Sequence, residues 1–448
     1  LGNKQIRGQI RIPKSELARG ASVAFLLQLS NLGLTYIVQI FLARWMGTAE
    51  YGTYEYVVSW ALLLAMLAEL GLPNAVLRFI PEYKVKEDWG RLRGLLRGSW
   101  QLILGASLLL SLCGTAIVWW LGASQDWAYA TPMLVGIWMV PLMALARLQL
   151  EMARGIQEIV LAYAPFRVIW HLLTLLGAFA LFQRNQELTS VPALAIAILA
   201  LLTVVTLQLW LLRHRLKAAI RPVAATYTPR QWLWVALPLL LTQGFQIILG
   251  KTDILMIGAA MGAEAVGIYS AAAKTAIWVS LVLQSVNAVV APTFSALYTQ
   301  GDREGLQKLV STVAHWIFWL SLIIALCLII FARPILGIFG AEFVAARWGL
   351  TILVLGQLIN VGVGSVGYLM IMTGHQNQST YIFGFSALAN VILNALLIPR
   401  FGTIGAAIAT ATTMALWNIS LHFLVVKHLH VYPSIVANLG LAKLKNKG

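Results

Sequence analysis

The chain of 448 residues is 60% hydrophobic and 11% charged, with a mean hydropathy of +0.80. That leaves too little polar surface to cover a water-soluble globule of this length and points to a polytopic membrane protein. The formal charge of +16 would suit a nucleic-acid partner if the basic residues formed one patch. They alternate with apolar stretches instead, so no nucleic acid is expected.

A membrane span needs about 20 apolar residues. Twelve are predicted: near 20–43, 53–77, 99–121, 128–147, 161–183 and 190–212, then near 232–258, 265–293, 309–332, 347–373, 378–398 and 403–426. The N-terminal run LGNKQIRGQIRIPKSELARG leads into a full-length span rather than a short apolar core with a cleavage site, so it is not expected to be a signal peptide. With residues 1–19 in the cytoplasm, most of the 32 Lys and Arg fall in cytoplasmic segments, notably 78–97 and 213–230. This positive-inside bias places both termini in the cytoplasm.

The predicted organisation is a basic N-terminus (1–19), a first lobe of helices 1–6 (20–212), a cytoplasmic linker (213–231), a second lobe of helices 7–12 (232–426) and a cytoplasmic tail (427–448). The linker is basic, contains Pro222 and Pro229, and is expected as a surface helix and loop beside anionic headgroups. Cys113 and Cys327 fall inside spans, as small packing residues rather than disulfide partners or metal ligands.

A phrase recurs: MGTAEYGTY at 46–54 returns as MGAEAVGIY at 261–269, and the register continues through Gln28/Gln243, Ala61/Ala276, Phe79/Phe294, Tyr83/Tyr298 and Gly90/Gly305. Two copies of an even number of spans enter the membrane from the same side, so the repeats are parallel, related by an axis along the membrane normal. Transporters built this way carry cargo at the interface between repeats. Gly47, Gly52, Gly262 and Gly267 are expected in tight outer turns, and Pro73 and Pro292 as breaks in the second and eighth helices.

An ionisable group near the bilayer centre costs about 2.5–3.5 kcal/mol on insertion scales and is a functional candidate by default. Glu69 in helix 2, Lys251 and Asp253 in helix 7 and Lys274 in helix 8 qualify. Asp253 and Lys274 lie at similar distance from the turn at Gly262 and are expected as a buried pair, structural or in contact with cargo or a coupling ion; Glu69 is the only deep carboxylate expected in the first lobe. Arg147, Arg154, Arg167 and His171 cluster around helices 4 and 5, with Arg147 and Arg154 expected to snorkel to the surface.

Enzyme signatures are thin. GFQIILGKT at 244–252 has five residues between its glycines where a P-loop has four, and it lies in an apolar helix, so ATP hydrolysis is not expected. The four Asp residues form no DxD, and neither HExxH nor GxSxG occurs.

The segments FLARWMGTAEYGTY, AELGLPNAVLRFIPEY, KTDILMIGAAMGAEAVGIYSAAAK and LIPRFGTIGAAIATA, in that order, resemble the polysaccharide transporter family, the Wzx-type lipid-linked oligosaccharide flippases of the multidrug/oligosaccharidyl-lipid/polysaccharide superfamily. The resemblance implies an all-α, MATE-like, V-shaped pair of parallel six-helix lobes working by alternating access without ATP. It also implies a cargo, a polyprenyl-pyrophosphate-linked O-antigen or exopolysaccharide unit moved from the cytoplasmic to the periplasmic leaflet of a bacterial inner membrane, with glycan polymerases as partners.

A pyrophosphate needs a wet, cationic cleft. Lys251 and Lys274 are the most deeply placed basic candidates, Arg78 and Arg44 mark the mouths of the path, and Gln28, Gln243, Gln246 and Tyr36 suit a glycan. Among these, the family's basic residue in helix 8 supports Lys274 best. No cofactor is expected beyond a coupling H+ or Na+, with Asp253 or Glu69 as its carboxylate. The rival readings are a multidrug or organic-cation antiporter, which should have an acidic lobe, and a membrane glycan polymerase or glycosyltransferase, which should have a large outer loop.

Overall fold

The computed structural model describes the backbone of residues 14–124, 127–219, 221 and 223–435, and the side chains of 30–123, 127–216, 221 and 223–435. Most of the expected N-terminal and C-terminal cytoplasmic segments, and the side chain of Gln28, lie outside the described residues. Every regular element among the described residues is helical.

The helical run Lys14–Ala68 is 55 residues long and Gln376–Leu429 is 54. At 1.5 Å per residue each would reach about 80 Å, more than twice a hydrocarbon core of about 30 Å. Each is divided by one glycine whose backbone an L side chain rarely adopts: Gly47 (φ 72°, ψ 177°) and Gly402 (φ 59°, ψ −138°). The run therefore comprises α1 (14–46) and the first part of α2 (48–68), which bends by 45° and resumes as Leu72–Val85. The rest of the first lobe is α3 (Trp89–Ser124), α4 (Ala130–Gly155), α5 (Ile159–Asn185) and α6 (Ser190–Ala219).

The second lobe is α7 (Pro229–Met261), α8 (Ala263–Gln300), α9 (Arg303–Ile330), α10 (Arg347–Val363, then Val366–Met372), α11 (376–401) and α12 (403–429). Twelve helices in two lobes is the number expected from hydropathy, and their parallel repeat is the one expected from the duplicated phrase. A 3-10 turn, Ala341–Ala346, leads into α10, whose helix breaks at Gly364.

Several local expectations are corrected. Gly47 and Gly262 do form the outer turns, and with nearly the same backbone (φ 72°, ψ 177° against φ 88°, ψ −178°), as a duplicated phrase should. Gly52 and Gly267, however, lie inside helices, where their role is close approach. A Cβ on Gly52 would stand 1.7 Å from the Ala263 carbonyl oxygen, and one on Gly267 would stand 2.1 Å from that of Thr48. The break in α2 is made by Leu70 and Gly71, both at positive φ, with Pro73 at the start of the resumed helix, where it loses no hydrogen bond. In α8 the irregularity is a 3-10 turn at Ile277–Ser280, while Pro292 lies within the helical Leu281–Gln300. Cys113 and Cys327 are exposed on outward helix faces instead of packing inside.

The described linker residues between Ala219 and Pro229 form no helix, and they are strapped to the start of α3. The Thr226 backbone N–H donates to the Gly90 carbonyl at 2.9 Å, and a Cβ on Gly94 would stand 1.9 Å from the Thr226 carbonyl oxygen. Trp232, fully buried, then seats the first turn of α7 on Gly98.

Candidate substrate cleft between the lobes

The two copies of the repeated phrase pack backbone to backbone at the outer end. Without a strong hydrophobic force between helices in lipid, small residues that admit close contact are what holds such a seam. Gly52 and Gly267 do so here, and side chains extend the seam across the lobes: Thr48 Oγ1 donates to Glu342 Oε2 at 3.1 Å, and Tyr129 Oη donates to the Gly258 carbonyl at 3.3 Å. The outer end is thus sealed. Toward the opposite end, the one expected to face the cytoplasm, the lobes also meet where the αL turn of Gly71 lies against Ala236 of α7.

Just inside this seal, Lys274 Nζ of α8 lies 2.5 Å from Glu55 Oε1 of α2, with side-chain exposures of 19% and 3%. This corrects the expected pairing. Depth put Lys274 beside Asp253, but the partner is a first-lobe carboxylate. Tyr51, one turn before Glu55, places its ring 5.6 Å from Lys274 Nζ and donates its hydroxyl to Gln39 Oε1 at 2.9 Å. Tyr36 joins the group, with its hydroxyl 3.0 Å from Thr275 Oγ1 and its ring edge-on to Trp278 and Phe339. Thr35 Oγ1 lies 3.0 Å from His171 Nε2, and His171 Nδ1 is buried without a partner.

Asp253, 5% exposed, belongs to the second lobe alone. Its carboxylate accepts from Tyr269 Oη at 2.6 Å, from its neighbour's amide Ile254 N at 2.8 Å and from Thr410 Oγ1 at 3.3 Å. Behind it, Asn390 Nδ2 donates to Thr413 Oγ1 at 3.0 Å, and Asn394 Nδ2 donates to Asn390 Oδ1 at 3.1 Å. Lys251 is half-buried and makes no hydrogen bond or ion pair among the described residues.

The first lobe carries a second charged group that sequence reasoning undervalued. Glu151 of α4, 1% exposed on its side chain, holds Arg154 Nη1 at 2.7 Å and Arg147 Nη2 at 3.7 Å. Arg154 and Arg167 both lie over the Tyr163 ring, at 5.9 and 4.5 Å. Arg167 is carried on a π-helical turn, Pro165–Ile169, of the kind that often marks functional positions. Arg147 and Arg154 therefore do not snorkel freely. They share a buried carboxylate and keep about a third of their side chains exposed (38% and 36%) on an otherwise buried helix. Glu69, 8% exposed at the bend of α2, has Arg147 and Glu151 as its charged neighbours. Among the described residues the first lobe thus holds three buried carboxylates, Glu55, Glu69 and Glu151, where only Glu69 was expected. The hidden signal was the spacing of Arg147, Glu151 and Arg154, at i, i+4 and i+7 on one face of a helix.

Other sequence candidates stand apart. Arg44 is exposed near the outer end; Arg78 is exposed with its guanidinium 5.8 Å from the Phe79 ring centre. Gln243 is half-buried with Oε1 enclosed and unpartnered, and Gln246 is exposed. Lys274 and Tyr36 are brought together at the seam; Arg44 and Arg78 are not part of it.

Residues 17–298 match the family model described as polysaccharide biosynthesis protein. The chain belongs to that family. A second model, MatE, matches residues 238–396. Among curated proteins, the probable low-salt glycan biosynthesis flippase Agl15 of Haloferax volcanii is 29% identical over 174 residues, which is 38% of this chain but only 36% of Agl15. An uncharacterised membrane protein of Methanocaldococcus jannaschii, MJ1068, is 22% identical over 415 residues, covering 89% of this chain and 81% of that one.

Solved structures agree on the fold. The lipid II flippase MurJ in an inward closed conformation has a TM-score of 0.71 at 16% identity, covering 90% of this chain and 87% of that one. An inward-facing MATE family multidrug transporter of the MOP superfamily scores 0.68 at 15% identity, covering 90% and 94%.

Proposed function

We propose that the protein is a flippase that carries a polyprenyl-pyrophosphate-linked oligosaccharide from the cytoplasmic to the external leaflet by alternating access. The observation that carries this reading is the arginine group of the first lobe. Arg147, Arg154 and Arg167 gather around one buried carboxylate, Glu151, leaving an excess of partly exposed guanidinium groups. Such an excess suits a diphosphate, since guanidinium forks bind phosphate oxygens in pairs. It does not suit an organic cation. The family membership and the likeness to Agl15 support a glycan-linked lipid as the cargo class.

In this reading the pyrophosphate meets the arginines first and advances toward Lys251 and Lys274. Lys274 is held by Glu55 while the outer end is closed, and opening outward separates the pair. Tyr36 and Gln243 line the way for sugar. Asp253, the buried carboxylate of the second lobe among the described residues, serves as the coupling group for a proton or sodium ion.

The test is reconstitution into vesicles with a fluorescent polyprenyl-pyrophosphate saccharide, scoring label that becomes accessible on the far side, with an organic dye as competing cargo. Flipping of the saccharide and its loss in R147Q/R154Q/R167Q, with membrane insertion intact, is the expected result. Transport of the dye alone, or normal flipping by the triple variant, overturns it.

A further inference from the structure

The outer surface of the first lobe carries a separate basic groove. It has a volume of about 700 Å³ and lies between the cytoplasmic part of α3 and that of α6, with Met152 of α4 beneath it. Arg93 and Arg97 project into it from successive turns of α3, and Arg213 from α6, over walls that include Trp100, Leu209 and Leu216. No acidic side chain lines it.

The groove is not an arm of the substrate cleft. At 100° per residue, Met152 lies about 140° around α4 from Arg147 and about 160° from Arg154, on a different face from the cleft arginines. Its cations are also partnered differently. Arg147 and Arg154 share Glu151, and Arg215 next door pairs with Glu158 at 3.6 Å. Arg93 donates only to the Val223 carbonyl of the linker, and Arg97 and Arg213 make no ion pair or hydrogen bond among the described residues.

Depth identifies what would supply the missing anion. α3 has 36 residues and α6 has 30, lengths of about 54 and 45 Å at 1.5 Å per residue, so both outrun a hydrocarbon core of about 30 Å. Their cytoplasmic turns, where the three arginines stand, reach the headgroup level, while Trp100 of α3 and Leu209 and Leu212 of α6 continue into the acyl region. Basic pockets between helices on the cytoplasmic side suit acidic headgroups.

We propose that this groove holds one anionic diacyl phospholipid of the cytoplasmic leaflet, its phosphodiester bridging Arg97 and Arg213 and its chains lying along Trp100, Leu209 and Leu212. Through Arg93 and Val223 the bound lipid brings α3, α6 and the linker between the lobes into one unit. The occupant is a resident lipid rather than cargo, so the site stands independently of the transport reading.

The experiment is native mass spectrometry of the full chain released from bilayers of equal phosphatidylglycerol and phosphatidylcholine. Removing two charges at the membrane surface corresponds to about a thirtyfold loss of affinity. The wild type is expected to retain phosphatidylglycerol in preference to phosphatidylcholine, R97Q/R213Q to lose that preference by about this factor, and R97K/R213K to keep most of it. The Lys variant, with size-exclusion profiles of all three, separates loss of charge from misfolding. Equal retention by the Gln variant, no preference for the anionic lipid, or displacement of the lipid by millimolar inorganic phosphate or by polyprenyl diphosphate would each overturn the proposal.

Discussion

Replacing Glu55 with Gln should unlatch the outer end. At 2.5 Å the Lys274–Glu55 pair has a Coulomb energy of about 7 kcal/mol at an effective dielectric near 20, most of it offset by desolvation of both groups. Removing one partner from a buried pair typically costs about 3–5 kcal/mol, because the other charge is stranded. Lys274 is stranded only while the lobes are shut, since parting them admits water. The substitution therefore shifts the equilibrium toward the open state by about a hundredfold or more, at 1.4 kcal/mol per factor of ten.

The reporter is Thr48→Cys, a seam position 6% exposed, in a chain whose Cys113 and Cys327 are replaced by Ser. The reagent is a membrane-impermeant maleimide added from outside. Labelling should be slow while Glu55 is present, faster by about two orders of magnitude or more in E55Q, and slow again in the swapped pair E55K/K274E. Unchanged labelling in E55Q would show that the pair is not what keeps the outer end shut.

Gly52→Ala and Gly267→Ala should each prise the seam apart, because the added methyl meets a backbone carbonyl at 1.7 or 2.1 Å; both should lower the melting temperature and raise labelling of the T48C reporter, whereas Gly105→Ala, with nothing within 4 Å, should do neither. Glu151→Gln removes the shared counterion of Arg147 and Arg154 and should lower thermal stability in a fluorescence melt, with R147Q partly restoring it. Asp253→Asn keeps an acceptor for Tyr269 and Thr410, so the protein should insert normally while flipping loses its response to imposed proton and sodium gradients.

Hydropathy and the basic loops were enough to lay out twelve helices, because span length and the positive-inside bias are local properties of each segment. The repeated phrase located the turns at Gly47 and Gly262 for a similar reason: a reversal at an outer helix end needs the left-handed backbone that glycine supplies. Depth arguments went less far. They found Lys274, Asp253 and Glu69 as buried charges but assigned Lys274 the wrong partner and read Arg147 and Arg154 as snorkelling. Glu55 was passed over because it follows the glycine turn so closely that it reads as an outer, solvated residue.

Distance along the chain tells how deep a side chain lies; it does not tell toward which neighbour it turns. Each residue rotates a helix by 100°, and the rotation of a whole helix is set by packing against others. Thus the sequence alone determined the number of helices, the duplication and part of the stock of buried charge, namely Lys274, Asp253 and Glu69. Only the tertiary structure decided that Gly52 and Gly267 face each other across the lobes, that Glu55 takes Lys274 from a position 219 residues away, and that Asp253 is satisfied by hydroxyl groups instead. Those contacts depend on how two lobes meet, a property that neither lobe's own pattern contains.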